Sequence, residues 1–341
     1  MTADVLSEVL RAVRLSGAVF FNIEASPPWV AEAPAASSVG PYVMPGVEHV
    51  IEFHAITSGS CWGGLVDGPA VRLLEGDVIV FPFGDPHVIS SAPGMRGDPS
   101  LGALTLASGG PFPITLSFND SGAERARIVC GFLGCDARPF NPLLSNLPRV
   151  IHMPRRSGKE GEWVEQLLHV AVIESSAQRA GSACMLARLS ELLFVEMVRR
   201  HLSSLPSETT GWLAGLRDDV TGRSLSALHG RPAHAWSLEL LAKEVGLSRS
   251  MLAERFHHFV GVPPMQYLAR WRMQLAASLL TGTTLTLADV AERVGYGSEA
   301  ALSRAFKRLV GVAPSAWREG LRPDVSFISS DDDNETAAPP S

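Results

Sequence analysis

Histidines and cysteines are the residues in the first half of this chain that are best suited to metal binding or redox chemistry. His54, His87, Cys61 and Cys130 stand on or beside short strand-like runs. Imidazole nitrogens and thiolate sulfurs are donors that zinc binds tetrahedrally. The cysteine spacing matches no zinc finger or ribbon, in which ligands come in close pairs along the chain. A metal or redox centre therefore requires a fold that brings distant residues together.

A second set of candidate functional residues lies near the C-terminus, where the sequence repeats itself. Residues 241–248 (LAKEVGLS) are similar to residues 290–298 (VAERVGYGS). From Ser248 onward the two copies are offset by 50 residues, so that Leu252, Phe256, Gly261 and Pro264 recur as Leu302, Phe306, Gly311 and Pro314. A repeat with a fixed offset indicates two copies of one supersecondary unit.

Each copy has the sequence features of a helix-turn-helix. In the first copy Ala242 lets two helices approach closely, Gly246 ends the first helix, and Ser248 caps the second. Glycine adopts the left-handed conformation of a helix end at little cost, and serine accepts a hydrogen bond from the free N–H groups of the next helix. The second copy has the equivalent residues Ala291, Gly295 and Ser298.

The second helix of each unit has an outer face suited to the major groove of DNA. Basic groups and helix N-termini bind phosphates, and side chains that bond base edges determine sequence preference. One long helix, from Pro263 to about Leu280, is predicted to hold the two units at a fixed separation. The alternative is a pair of helical hairpins used for packing alone. The predicted DNA-binding residues are Ser248, Arg249, Ser250, Ala253 and Glu254 in the first unit, and Ser298, Glu299, Ala300, Ser303, Arg304 and Lys307 in the second.

The region from about Trp236 to Trp317 resembles the DNA-binding domain of the AraC/XylS family. The resemblance rests on Val294-Gly295-Tyr296, on residues 303–308 (SRAFKR), and on Gly311, Pro314 and Trp317. It implies a dimer that binds repeats in promoter double-stranded DNA, and often contact with RNA polymerase and activation of transcription.

The first 150 residues are rich in Gly, Pro and short β-like runs. Residues 50–56, 71–74 and 78–81 are predicted strands, separated by turn signals such as Asp67-Gly68-Pro69. Short strands at this spacing indicate a small barrel or sandwich.

Residues 76–87 (GDVIVFPFGDPH) resemble the second cupin motif, a strand and turn that place His87 inside the barrel. The first motif should supply a His-x-His pair and a glutamate, but only His54 stands on a comparable strand. As a whole the region resembles the cupin-type ligand domain of some AraC-family regulators, through residues 53–54, 59–62, 84–87 and 130–131. Because a barrel could bring these imidazoles and thiols together, we hypothesise a centre for zinc or another divalent metal, or a redox centre, built from His54, His87 and Cys130, with Cys61 or Cys135 as a candidate fourth ligand.

Two other uses of these residues stay open. Each histidine could be a hydrogen-bonded core residue and each cysteine a small buried hydrophobe. The barrel could also hold a small organic effector, because barrel mouths commonly form such pockets. Trp62, Phe81, Phe83 and Phe132 are then the expected lining.

Composition and pattern predict an α+β chain of several parts. Residues 1–155 form a cupin-like β-barrel sensor, 156–205 a helical dimerisation segment, 206–235 a linker with a helix at about 218–228, 236–320 the all-α double helix-turn-helix domain, and 321–341 a disordered tail. The net charge of −6 is uneven, because residues 229–320 hold 11 basic and 7 acidic residues. No uncharged apolar run reaches the ~18 residues of a membrane span. The N-terminus lacks the features of a secretory signal, so we expect a cytoplasmic protein.

These features together predict a sequence-specific DNA-binding transcription regulator that senses a small molecule, a metal or a redox signal and is not an enzyme. One alternative is a cupin-type metalloenzyme fused to a DNA-binding module, which the incomplete first cupin motif disfavours. The other is an architectural DNA-binding protein, for which the large N-terminal region would have no purpose.

Overall fold

The computed structural model of the protein describes residues 3–99, 114–119, 122, 124–156, 158–177 and 179–320. The predicted disordered tail at 321–341 lies outside the described residues. The α+β class is confirmed, with strands in the first half and helices in the second.

The strands of the first half form two open sheets. The six-stranded sheet has the order β10-β6-β3-β9-β1-β8, and the four-stranded sheet has the order β2-β7-β4-β5. Over the residues that the structure describes, the predicted barrel is therefore a sandwich whose sheets are not closed. The strands are β1 Ser16–Ala25, β2 Val30–Ala33, β3 His49–Ser58, β4 Ser60–Leu65, β5 Val71–Leu74, β6 Val78–Phe81, β7 His87–Ser90, β8 Ile114–Phe118, β9 Ala126–Cys135 and β10 Ile151–Met153.

The central strands β3, β6 and β9 of the six-stranded sheet are buried on both faces. Successive side chains of a strand point to opposite faces. In β9, Ile128 and Cys130 therefore face the core between the sheets, while Val129 and Cys135 face the core shared with the helices. In β3, Glu52 and His54 have the same parity as Val50 and Ile56, which belong to the core between the sheets.

The helices cover the outer face of this sheet and form the second half of the chain. They are α1 Val5–Ala12, α2 Ala36–Val43, α3 Lys159–Ala177, α4 Ser182–Ser204, α5 Trp212–Arg217, α6 Asp219–Gly230, α7 Leu238–Val245, α8 Arg249–Val260, α9 Pro264–Gly282, α10 Leu287–Val294, α11 Glu299–Val310 and α12 Pro314–Arg318. Helix α4 crosses β1 at Gly17, where a Cβ atom would lie 2.2 Å from the carbonyl oxygen of Ala187. None of the described helices is long and apolar enough to cross a membrane.

One hydrophobic core joins the sandwich to the first helix-turn-helix. It runs from Phe53 in β3 through α3 and α4 to Leu252 and Trp271. The second helix-turn-helix has a separate core that includes Leu302 and Phe306. The first unit is thus packed against the N-terminal half, whereas the second is attached mainly through α9.

Candidate nucleic-acid interface and buried histidine cluster

The first helix-turn-helix has the local structure that its sequence predicts. Helix α7 ends at Gly246, whose φ of 75° is left-handed, and the N–H of Leu247 donates to the carbonyl of Ala242 at 2.9 Å. The hydroxyl of Ser248 accepts a hydrogen bond from the N–H of Met251 at 3.3 Å, which caps α8. The turn and the capped start of the recognition helix are therefore confirmed.

The second unit repeats this geometry. Thr286 and Asp289 form a capping box at the start of α10, and α10 ends at Gly295, with a φ of 82°. A Cβ atom at Gly295 would also lie 2.7 Å from the backbone of Ala233, so this turn requires glycine for space as well as for conformation. Ser298 caps α11 through the N–H of Ala301 at 3.1 Å.

Both recognition helices bury one stripe and expose the other. Leu252 and Phe256 in α8, and Leu302 and Phe306 in α11, are fully buried. The predicted DNA-binding residues lie on the accessible side, where Ala253 and Ser303 are half-buried and Ser248, Arg249, Ser250, Glu254, Ser298, Glu299, Ala300, Arg304 and Lys307 are exposed.

The long helix α9 connects the two units as the sequence predicts. Its 19 residues span about 28 Å at ~1.5 Å per residue. The guanidinium of Arg272 donates to the carbonyls of Pro232 and His234 at 2.8 Å each, and it lies 5.7 Å from the ring centre of Tyr296 in the second turn. Arg272 thus connects α9 both to the segment before the first unit and to the turn of the second unit.

Between the two sheets lies a chain of hydrogen-bonded side chains. His54 on β3 is the register partner of Cys130 on β9, and its Nδ1 lies 2.8 Å from the Cys130 sulfur. Its Nε2 lies 2.6 Å from Nε2 of His87, which projects from β7 of the opposite sheet. Nδ1 of His87 lies 2.8 Å from the carbonyl oxygen of Asp85. The ring of Phe81 stacks on His87 with 3.8 Å between centroids.

The hydrogen-bond partners determine which nitrogen of each histidine in this cluster carries the proton. A carbonyl oxygen only accepts, so neutral His87 carries its proton on Nδ1 and its Nε2 must accept. His54 therefore donates from Nε2, and its Nδ1 accepts from the thiol of Cys130. Burial lowers the pKa of His87 to about 4 and that of His54 well below its ordinary value, and it raises the pKa of Cys130 well above the ordinary value. All three groups are therefore neutral near pH 7.

Glu52 also belongs to this cluster. Its Oε2 lies 3.7 Å from Nε2 of His87, and its Oε1 has no hydrogen-bond partner among the described residues. Burial raises the pKa of Glu52 to about 8, so the carboxyl is largely protonated at neutral pH.

The predicted metal ligands are close together but are not arranged around one point. Cys130 and His87 contact opposite edges of the His54 ring, and within the described residues no group of three or more His, Cys, Asp or Glu could hold a metal ion. Cys61 lies in the same core, and burial raises its pKa to about 12, whereas Cys135 faces the other side of the sheet. The metal centre therefore stays a prediction.

A groove opens beside the cluster. It has a volume of about 550 Å³ and lies between α2, the start of β3 and the turn from β6 to β7. Its polar side chains are those of Ser37, Glu48, His49 and Asp85, and its apolar lining includes Met44 and Phe83. Of the four aromatic residues predicted to line a pocket, Phe83 lines this groove, while Phe81 and Phe132 are buried core residues and Trp62 is half-buried on β4.

Two family sequence patterns match the chain. The pattern described as a cupin covers residues 4–203, and the pattern described as a helix-turn-helix domain covers residues 241–320. An AraC-like transcription regulator of Streptomyces antibioticus is 34% identical over 282 residues, which make up 80% of this chain and 88% of that protein. The chain belongs to the family of AraC-like transcription regulators.

The alignments with other relatives cover most of the length of each relative. The HTH-type transcriptional regulator AlkR of Acinetobacter baylyi is 29% identical over 269 residues, which cover 78% of this chain and 87% of AlkR. The RCS-specific HTH-type transcriptional activator RclR of Escherichia coli is 27% identical over 276 residues, which cover 80% of this chain and 86% of RclR. The relatives are named as regulators of transcription and not as enzymes.

Two residues of the AraC-like regulator were missed at the sequence level. Glu52 lies two residues before His54 and so on the same face of β3, a signal that strand alternation could have provided. Met251, in the first turn of α8, is 57% exposed, although an apolar residue at this position would be expected to pack inward. An exposed methyl-bearing side chain here is suited to contact with a thymine methyl group.

Proposed function

We propose that this AraC-like regulator binds promoter DNA with α8 and α11 in the major groove and changes its DNA binding when the N-terminal sandwich binds a small organic molecule. The observation that carries the DNA-binding part is the pair of capped, outward-facing recognition helices held by α9. The residues assigned to DNA are those predicted from the sequence, together with Met251.

The groove is the proposed effector site. Its volume of about 550 Å³ falls in the range of small-molecule pockets, ~300–1,000 Å³. The turn at 83–86 lines the groove and also holds the buried cluster, because the carbonyl of Asp85 accepts a hydrogen bond from Nδ1 of His87. The turn is also tight against α2, since a Cβ atom at Gly84 would lie 2.3 Å from the Cβ of Ala36. A molecule that separates α2 from this turn would therefore displace His87.

The chain that follows β9 and two hydrogen bonds connect this cluster to the DNA-binding half. Strand β9 carries Cys130 and leads into the segment that holds Phe140. The N–H of Phe140 donates to Oε1 of Gln274 on α9 at 3.0 Å, and Nε2 of Gln274 donates to the carbonyl of Ala12 on α1 at 3.1 Å. Gln274 is fully buried. We propose that this side chain couples the sandwich to the helix that holds both recognition units.

The sandwich is proposed to sense its ligand rather than catalyse a reaction. Both ring nitrogens of His54 are occupied by protein partners, and the thiol of Cys130 is buried with a raised pKa, which makes it a poor nucleophile. Neither group is therefore poised to attack a substrate.

A second copy of the chain is the proposed partner of helices α3 and α4. Trp163, Val170 and Ile173 form a stripe on α3, and Met185 and Leu192 lie one above the other on α4, each between 38% and 48% exposed. An apolar patch of this kind on the surface of a folded chain indicates a protein interface. A dimer would place four helix-turn-helix units on DNA, as repeated promoter sites require, and contact with RNA polymerase is proposed as its means of activation.

The effector site is tested by ligand-induced stabilisation. A library of small organic compounds is screened for compounds that raise the melting temperature of the full chain, and each active compound is titrated against Met44→Trp, which fills the groove. Binding at about 100 times Kd stabilises by ~2.7 kcal/mol. We expect Met44→Trp to abolish this stabilisation. Tyr42→Trp, an exposed position on α2 that does not line the groove, should preserve it. Equal responses of both variants would place the ligand elsewhere.

A further inference from the structure

The two recognition helices differ in one systematic way beyond the predicted DNA-binding residues. The 50-residue register that aligns Ser248 with Ser298 also aligns His257 with Lys307 and His258 with Arg308. All four side chains are exposed, in the last turn of α8 or α11. Where the second unit carries two permanent cations, the first unit carries two imidazoles, the side chain whose charge most often changes within the physiological pH range.

The rest of α8 does not compensate for this difference. Its exposed ionic side chains are Arg249, Glu254 and Arg255. Arg255 is bound to Asp218, with Nε 3.0 Å from Oδ1 and 3.1 Å from Oδ2, so its charge is balanced within the protein. Arg249 and Glu254 cancel. With neutral histidines, α8 therefore offers no net positive charge to DNA.

The second recognition helix has a clear excess of cations. Arg304, Lys307 and Arg308 stand against the single carboxylate of Glu299. Affinity for DNA depends strongly on the number of phosphates that cations neutralise. The first unit therefore lacks permanent cations at the two positions where the second unit has them.

We propose that His257 and His258 contact the DNA backbone in the first unit, and that this unit binds DNA with uptake of protons. A nearby phosphate favours the charged form of an imidazole and so raises its pKa. Protonation completes on α8 the cation pair that α11 holds permanently. The first unit then binds DNA more tightly as the pH falls, while the contacts of the second unit are unaffected. The proposal rests on DNA binding by both units.

Both imidazoles are exposed on a helix that packs on α5, α6, α7 and α9. Among the described residues, no hydrogen bond or ion pair joins an ionisable group of these helices to either imidazole, and the ring of His258 packs edge-on against Phe259. Those groups are Arg217 on α5, Asp219, Arg223 and His229 on α6, Glu239, Lys243 and Glu244 on α7, and Tyr267, Arg270 and Arg272 on α9.

The expected size of the effect follows from linkage. A histidine has an ordinary pKa of about 6.5, and a phosphate contact that raises it by about one unit strengthens binding roughly sixfold between about pH 8 and about pH 6. Two such contacts give roughly 40-fold. Affinity for DNA must increase as the pH falls, because the pKa of the histidine is higher in the complex than in the free protein. The gain is complete below the pKa of the free protein and is lost as the pH rises through the pKa of the complex.

The test is a titration of full-length protein against a fluorescent duplex selected by the wild-type chain from a randomised pool. Anisotropy is measured at constant ionic strength from about pH 6 to about pH 8, where the histidine charge changes. The wild type should bind several tens-fold more tightly at the acid end. The double variant His257→Lys with His258→Arg should bind at about pH 8 as tightly as the wild type at about pH 6, with little dependence on pH.

A matched control and a second pair of variants separate this proposal from general effects of pH. Lys307→Ala should weaken binding at every pH while keeping the wild-type slope. His257→Ala with His258→Ala should bind weakly and without a slope, and its melting temperature should match that of the wild type because both positions are exposed. The proposal is overturned if the affinity of the wild type for DNA changes less than twofold between about pH 8 and about pH 6, or if the full change persists in the Lys/Arg variant. Either result leaves DNA binding itself intact. Absence of any DNA binding would instead contradict the proposed function.

Discussion

The bridge formed by Gln274 leads to the most demanding prediction. Its side chain is fully buried and satisfies two backbone groups that do not belong to its own helix, the N–H of Phe140 and the carbonyl of Ala12. The substitution Gln274→Met keeps the length and most of the volume of the side chain but removes both polar atoms. Each buried backbone group left without a partner costs about 1–3 kcal/mol, so the loss should be about 2–6 kcal/mol.

Gln266 on the same helix is the matched control, because it is exposed. Gln266→Met should change stability by less than ~0.5 kcal/mol. Urea unfolding of the full chain gives the stability difference, and amide hydrogen exchange of the 136–147 segment shows whether the N–H of Phe140 loses protection. If both variants unfold alike and the amide of Phe140 stays equally protected, Gln274 does not hold the two halves together, and the proposed coupling route is refuted.

Three further predictions concern DNA, assembly and metal. Arg304→Ala should weaken binding to a selected duplex by ~1–3 kcal/mol and relax sequence preference at its base pair, whereas a phosphate contact would weaken all sequences equally; repeat selection with the variant distinguishes them. Leu192→Glu should convert a dimer into a monomer in sedimentation equilibrium, and an unchanged mass would exclude α4 from the interface. Metal analysis of purified protein tests the predicted metal centre, which requires one equivalent of zinc that disappears in His87→Ala. Less than one equivalent would leave His54 as a core histidine held by Cys130 and His87.

The helix-turn-helix units could be predicted because their determinants are local. A glycine with left-handed φ, a serine cap and an apolar stripe all act within a few residues, and each is found where the sequence placed it. The strands at 71–74 and 78–81 have the predicted bounds for the same reason. The repeat added independent support, because a fixed offset with matching details is the sequence signature of a repeated structural unit.

The arrangement of the buried cluster could not be derived in this way. The contact between His54 and Cys130 depends on the register of β3 against β9, and His87 reaches His54 from the other sheet. These are long-range pairings that no local pattern determines. The alternation of side chains along a strand does show that Cys130 and Cys135, five residues apart, face opposite sides of the sheet. Cys135 therefore does not belong to the cluster.

The groove was missed because α2 has little helical signal. Its sequence, ASSVGPYV, contains serine, glycine and an internal Pro41, all of which disfavour a helix. The helix forms because its buried side chains, including Val39 and Val43, pack into the core between the sheets. The contact of α1 with the DNA-binding half was likewise invisible, since the carbonyl of Ala12 and the side chain of Gln274 are separated by 262 residues.

Hydroxyl-radical footprinting of the full-length protein on a selected duplex tests the central claim most directly. If α8 and α11 occupy successive major grooves on one face of the DNA, each chain should protect two tracts about one helical turn, ~10 base pairs, apart. Arg304→Ala should then weaken the tract of the second unit and leave the other protected. A single protected tract per chain, or two tracts that weaken together in this variant, would contradict the account of two separate helix-turn-helix units on DNA.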